Sequence, residues 1–342
     1  MKSNRCSYPA QATRYERNSV VADSPCVDVI ILSWNRVDDT IAAIASADAQ
    51  VGVTKRILIV DQGSDPYNIG RLQAFLEHVP CAHLKVLEAN SGVAGGRNIA
   101  TAMGTAPYIV SLDNDAVFAD PHMLARAVAY LDGHPHLCAI GFRITNYFTG
   151  ENDHTSWDYP GHYTPEQFFP TTRFIGAGHA MRRQVFETVG GYDARLFFCG
   201  EELDLCYRML NTGFRIEYVP RIEILHKVSP QHRVFWGRGR FFFTVRNNLY
   251  MSYKFGMGLP RLLVAANAFV LKGVRNHIGR DTFGAIRAAI AMCHAFRHSS
   301  EDKHLYQLSQ ETRKYIEICE PWRRESILRK VLRQFQSLPN QA

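Results

Sequence analysis

The sequence has no long hydrophobic run. Its longest strongly apolar stretch free of charged residues, Leu262 to Leu271, spans ten residues, whereas a membrane-crossing helix needs about 20. A conventional transmembrane protein is therefore not expected. Met1 to Asp23 is polar and lacks the apolar h-region of a secretory signal, so the expected location is cytoplasmic. The 8 cysteines form no C-x-x-C pair and no zinc-finger spacing, which points to reduced thiols. Neither G-x-x-x-x-G-K-[ST] nor G-x-G-x-x-G occurs, which disfavours a P-loop NTPase and a dinucleotide-dependent dehydrogenase. Internal repeats and low-complexity tracts are absent too. What remains is a chain of 342 residues, 46% hydrophobic and 21% charged, an ordinary globular composition with material for about two domains or one large α/β domain with an appendage.

Charge is divided unevenly. Residues 1 to 225 hold 19 Lys and Arg against 25 Asp and Glu, and residues 226 to 342 hold 20 against 7, so −6 is followed by +13. A basic C-terminal third calls for a polyanionic partner, either an acidic membrane surface or nucleic acid. The expected division is a polar tail (1–25), a main domain (26–230) and a basic helical region (231–342).

From residue 27, short apolar β-branched runs alternate with amphipathic stretches. Val27 to Ser33, Arg56 to Val60, Leu84 to Leu87 and Tyr108 to Leu112 read as buried strands. Asp39 to Ala49, Ile69 to His78 and Gly96 to Met103 read as helices between them, and Asp120 to Asp132 as a further helix opened by Asp-Pro. The alternation predicts an α/β fold with a mostly parallel central sheet and right-handed crossovers. Residues 146 to 172, aromatic and Pro/Gly-punctuated, read as a long functional loop, in which Trp157, Asp158 and Tyr159 either stack on a sugar or pack on the core. Ile222 to His226 is a last short strand. Beyond about residue 233, Leu259 to Val274, Thr282 to Arg297, Asp302 to Ile318 and Trp322 to Phe335 are candidate helices.

Ligands of open parallel sheets bind beyond the carboxyl ends of the strands, and there this sequence is polar four times over. The strands end in Ser33-Trp34-Asn35-Arg36, Asp61-Gln62-Gly63-Ser64, Asn90-Ser91-Gly92 and Asp113-Asn114-Asp115. Two carboxylates one residue apart can share one hard divalent cation, or simply form an Asx turn. Asn90 to Asn98 is glycine-rich and opens a helix, so free N–H groups and Arg97 can meet a phosphate or a sugar. Glu201-Glu202-Leu203-Asp204 at a helix start either complements the helix dipole or supplies a general base, since adjacent carboxylates raise one another's pKa. His226 is either a metal ligand or a satisfied strand-end histidine.

Taken together, these segments resemble the family 2 glycosyltransferases, inverting enzymes of the GT-A fold that use nucleotide-diphosphate sugars, over about Val27 to Asn248. The likeness is carried by the opening strand with its Asn-Arg turn, Asp61-Gln62-Gly63-Ser64, Asn90 to Asn98, the D-x-D motif Asp113-Asn114-Asp115, and Gly190 to Asp193 followed by Phe197 to Arg208. His226 stands where a histidine commonly follows in that family. The resemblance implies a donor site of Asn35, Arg36, Asp61, Asn90, Gly92, Gly96, Arg97, Asn98, Asp113 and Asn114. It implies Mg2+ or Mn2+ bound by Asp115 with His226 and Asp113, and a carboxylate base. The family's Glu-Asp pair is Glu201-Glu202 here; Glu202 is the preferred base and Glu201 the alternative. The donor edge also differs at Gln62 and at Ser33-Trp34.

The implied reaction is hexosyl or deoxyhexosyl transfer to a glycan or lipid-linked acceptor in cell-surface polysaccharide or glycolipid assembly. Leu259 to Val274, with Arg261, Lys272 and Arg275 at its flanks, either lies in a membrane interface or packs on the catalytic domain, so peripheral attachment to the inner face of the membrane joins the expectations. The rival readings are a nucleotide-sugar binding protein without catalysis, and a nucleic-acid binder acting through the basic region. The latter lacks an RRM, KH or zinc signature, and no nucleic-acid partner is expected.

Overall fold

The computed structural model describes residues 26–227, 238–299 and 303–320. Among the described residues, nine strands form one sheet: β1 (Val27–Ser33), β2 (Lys55–Asp61), β3 (Ala82–Val86), β4 (Tyr108–Leu112), β5 (Ala116–Phe118), β6 (Leu137–Asn146), β7 (Phe169–Thr171), β8 (Gly178–Arg182) and β9 (Arg215–His226). The order is β3-β2-β1-β4-β8-β6-β9-β5, with β7 on β9. β1 to β4 are mutually parallel, as the alternation predicts, and β6 runs parallel to β9. β5, β7 and β8 are antiparallel and short, too brief to show a period.

Both sheet faces are covered. Val27, Val29 and Ile31 of β1 face α1 (Val37–Asp48), α2 (Pro66–Leu76) and α4 (Met123–Gly133). Ile30 faces the opposite layer of α3 (Gly92–Ala102), α5 (Arg183–Thr188), α6 (Glu201–Asn211) and α10 (Gln310–Cys319). Burial on both sides explains why β1 is an unbroken apolar run. Its one internal acid, Asp28, is fully buried at the end remote from the polar edges and pairs with Arg56 at 2.9 Å and Arg183 at 2.7 Å.

Several boundaries differ from expectation. Asp120-Pro121 forms a turn, with Asp120 accepting from the His122 N–H at 2.8 Å, and α4 begins only at Met123. The run Ile222–His226 is the end of twelve-residue β9, which continues through Pro220. The proline is tolerated because the pairing with β6 shifts register there, from Phe142 opposite Val219 to Arg143 opposite Glu223. Trp157 packs in a small aromatic core, its ring 5.0 Å from Tyr159 and 5.6 Å from Tyr218. The segment expected as one helix over Asp302 to Ile318 is a short 3-10 turn (Lys303–Tyr306) followed by α10. Trp322 to Phe335 lies outside the described residues.

α7 (Arg238–Lys254), α8 (Leu259–Arg275) and α9 (Gly279–His298) form the C-terminal helical layer. α7 is locked to the sheet body by charge. The Lys254 ammonium, with no exposed side-chain area, lies 2.6 Å from Asp193 and 2.6 Å from Asp204 of α6. Arg208 binds the other oxygen of Asp204 at 2.7 Å.

Candidate active site

The carboxyl end of β4 passes straight into Asp113-Asn114-Asp115, and β5 begins at the next residue. Antiparallel pairing sets Ala116 opposite His226, and the Lys227 N–H donates to the Asp115 carbonyl at 2.7 Å. That register carries the histidine to the acidic turn. One ligand atom from each of Asp113, Asp115 and His226 lies within 4.8 Å of the others.

His226 Nε2 is 3.3 Å from Asp115, and Nδ1 is 3.0 Å from Asp153. Burial opposes charge on this imidazole, but the hydrogen bonds to Asp115 and Asp153 outweigh it and push the pKa up to about 10. Burial likewise works against the Asp115 carboxylate, while His226 and Arg36 together hold its pKa down to about 2. Arg36 donates to Asp115 at 2.7 Å and to Asp39 at 2.8 Å, and Lys227 reaches Asp39 at 3.2 Å.

Two carboxylates suit a hard divalent ion such as Mg2+ or Mn2+, and His226 joins them as the neutral imidazole, once its Nε2 proton is released. The Asp153 contact behind His226 is the carboxylate support that metal-binding histidines commonly have. The residues present therefore fit such an ion.

Arg97 joins this end of the cleft to the acidic helix. It is 2% exposed and donates to Asp113 at 3.0 Å, to Glu202 at 2.7 Å and to the Gly176 carbonyl at 2.9 Å. Glu202, 19% exposed, is thus tied through one guanidinium to Asp113 of the D-x-D turn. Glu201 is not: it is buried, and its Oε2 has no hydrogen-bond partner among the described residues. Burial, reinforced by the neighbouring Glu202 charge, raises the Glu201 pKa well above the usual carboxylate range.

The turn before α6 is strained. Phe197 and Cys199 have φ of 61° and 71°, in the region that L-residues avoid, and Gly200 follows at 94°. Neighbouring elements hold it. The Phe197 carbonyl accepts from Val93 N–H at 2.6 Å, and a Cβ on Gly92 would lie 2.5 Å from that oxygen. Buried Asn247 of α7 places its amide nitrogen 2.8, 2.8 and 2.6 Å from the carbonyls of Leu196, Phe198 and Cys199. Arg246 adds bonds to the Arg195 and Leu196 carbonyls.

The other expected donor residues fall into two groups. Asn35 stays exposed at the edge with φ 55°, and Asn114 bonds Thr40 at 3.1 Å. Asp61 is buried and spends both oxygens on Ser64. Asn90 caps Gly92 N–H at 2.7 Å, and a Cβ on Gly96 would meet Leu32 and Gln62 at 3.0 and 3.1 Å. Asn98 spends both ends of its amide on the backbone of Tyr192. Asp61, Asn90, Gly96 and Asn98 therefore shape the walls. Sequence reasoning missed Asp153, Asp39 and Lys227 as parts of the site, and Asn247 as a brace. Asp153 sits in an aperiodic loop, where no spacing marks it.

A sheet of this order with a D-x-D turn at the end of β4 is the GT-A arrangement. The glycosyl transferase family 2 model matches residues 28–190, and this segment of the chain belongs to that family. The chain is 26% identical over 201 residues to the pre-mycofactocin glycosyltransferase of Mycobacterium tuberculosis (strain H37Rv), a match covering 55% of this chain and 40% of that protein. It is 38% identical over 68 residues to the same organism's N-acetylglucosaminyl-diphospho-decaprenol L-rhamnosyltransferase, covering 19% of this chain and 22% of that one. The chain thus spans well under two thirds of the length of these curated relatives. Among solved structures, it shares its fold with the mannosyltransferase PcManGT from Pyrobaculum calidifontis in complex with GDP-Man and Mn2+, with TM-score 0.54, 16% identity, and coverage of 91% and 86% of the two chains.

Proposed function

We propose that this protein is an inverting glycosyltransferase that moves a hexosyl or deoxyhexosyl group from a nucleotide-diphosphate sugar to a hydroxyl of a glycan or lipid-linked acceptor. The acceptor is met at the inner face of a membrane, in cell-surface polysaccharide or glycolipid assembly. The observation that supports the reading is the Arg97 bridge, one guanidinium 3.0 Å from Asp113 and 2.7 Å from Glu202. The rhamnosyltransferase named for a decaprenol-linked substrate supports the lipid-linked class.

Asp113, Asp115 and His226 would hold Mg2+ or Mn2+, which when bound neutralises charge on the departing diphosphate. Arg36 adds a cation on the same side. Asn35 and the turn built on Asp61 line the nucleotide end, and the α3 N-terminus borders the donor. Glu202, aimed by Arg97, accepts the proton of the acceptor hydroxyl as that oxygen attacks the anomeric carbon and the C–O bond to the diphosphate breaks. One displacement inverts the centre, without a covalent sugar–protein intermediate. Glu201, buried and with its charged form disfavoured, is not given the base role.

The test is a panel of nucleotide sugars scored for Mn2+-dependent release of nucleoside diphosphate. Release from one donor class, lost in Asp115→Asn, is the expected result. Donor binding without release in the presence of any acceptor would assign a binding role instead.

A further inference from the structure

α8 is apolar on two sides. Its inner side seats Ala265, Ala266 and Phe269 on Phe241 and Val245 of α7 and Ala289 of α9. Its outer side carries Leu259, Leu263, Val264, Leu271 and Val274, between 38% and 68% exposed. At about 100° per residue these five fall within an arc of about 140°, and Asn267 is the only polar residue inside it. A helix on the surface of a globular protein normally turns a polar face outward, so this stripe needs a covering. Its chemistry says which kind. On the same helical projection Arg275, Arg261 and Lys272 follow one edge of the stripe. From residue 259 to residue 298 there are six Lys and Arg (those three with Arg280, Arg287 and Arg297) against Asp281 alone. On α9, Phe283 and Ile290 are exposed as well, at 55% and 63%.

We infer that the outer face of α8 docks onto an anionic phospholipid bilayer, its leucines and valines in the acyl boundary and its basic edge among the headgroups. Long cationic side chains beside an apolar stripe fit such an interface because they extend to the headgroups while their stems stay among the tails. A second copy of the chain fits less well. In a two-fold pair each copy presents the same patch to the other, and with the helices antiparallel the like-charged edges would meet and repel. The inference deepens the proposed function, and rests on it only for its purpose, which is to bring the cleft to a lipid-linked acceptor.

The test uses the full chain and no sugar: flotation with vesicles of phosphatidylcholine and phosphatidylglycerol in equal parts, and with phosphatidylcholine alone. Flotation with the anionic vesicles only, weakened by raising salt, is expected, since each basic residue at such a surface strengthens binding about fivefold and salt screens it. Replacing Leu263 and Leu271 together by Gln, at exposed positions where folding is not at stake, should weaken flotation about tenfold or more. Failure of the wild-type chain to float would overturn the inference. So would equal flotation of the double variant, which would assign binding to another surface. A wild-type dimer that the double variant turns into a monomer would give the face to a second copy. Nucleoside diphosphate release, measured in parallel, should persist in the double variant; its absence in the wild-type chain would count against the transferase reading and leave the flotation result standing.

Discussion

Two clusters of carboxylates lie close together in this molecule under opposite conditions. Asp193 and Asp204 are sealed between α6 and α7, with side chains at 3% and 0% exposure; Lys254 bridges the two, and Arg195 and Arg208 each pair with one of them. Asp113, Asp115 and Glu202 stand in a cleft at 40%, 18% and 19%, with Arg36, Arg97 and His226 as partners. A sealed cluster can only hold structure, because removing one partner strands a buried charge. An open cluster, which exchanges with solvent, can accept a cation, a phosphate or a proton. Acidity alone therefore does not distinguish a site from a brace; access does.

Four substitutions can break or sharpen this contrast. In the open cluster, Glu202→Gln should lower turnover by about 10²–10⁴-fold while leaving donor affinity by calorimetry nearly unchanged. Full turnover in that variant would move the base elsewhere. In the sealed cluster, Lys254→Met should cost about 3–5 kcal/mol of stability in urea unfolding. A stable Lys254→Met protein would mean that Arg195 and Arg208 suffice to hold the two carboxylates. Asp153→Asn, acting through His226, should weaken Mn2+ binding about 10–100-fold, measured by Mn2+ titration without donor. Unaltered affinity there would remove the histidine from the ligand set. Smallest, Asn247→Leu should lose about 1–3 kcal/mol by leaving buried carbonyls unsatisfied. It should also lower turnover beyond that loss, since the strained 197–200 turn sets the direction of Glu202; a fall in folded fraction alone would limit Asn247 to stability.

Much of the α/β body was legible in sequence because its signals are local. β1, β2 and β4 are buried on both faces and read as continuous β-branched runs, whereas α2, expected from Ile69, opens three residues earlier at Pro66, with Asp65 capping Asn68 N–H at 3.0 Å. The polar strand ends, the D-x-D turn and the acidic start of α6 could be found for the same reason. β8, inserted between β4 and β6, could not, because five residues bounded by glycine and arginine carry no signature of their neighbours. The two halves of Glu201-Glu202 look alike in sequence; only packing separates a buried acid from one paired with Arg97.

The sequence by itself determined the alternating strands and helices, the polar loops gathered at one end of the sheet and the basic C-terminal third, because propensity, periodicity and charge act over a few neighbouring residues. Tertiary structure supplied the register that brings His226 to Asp115, a pairing the family resemblance implied, and it alone decided that Asp153 stands behind the histidine and that Lys254 and Asn247 brace the acidic helix. Those contacts depend on strand register and on burial across separations of up to 111 residues, and no local pattern encodes either.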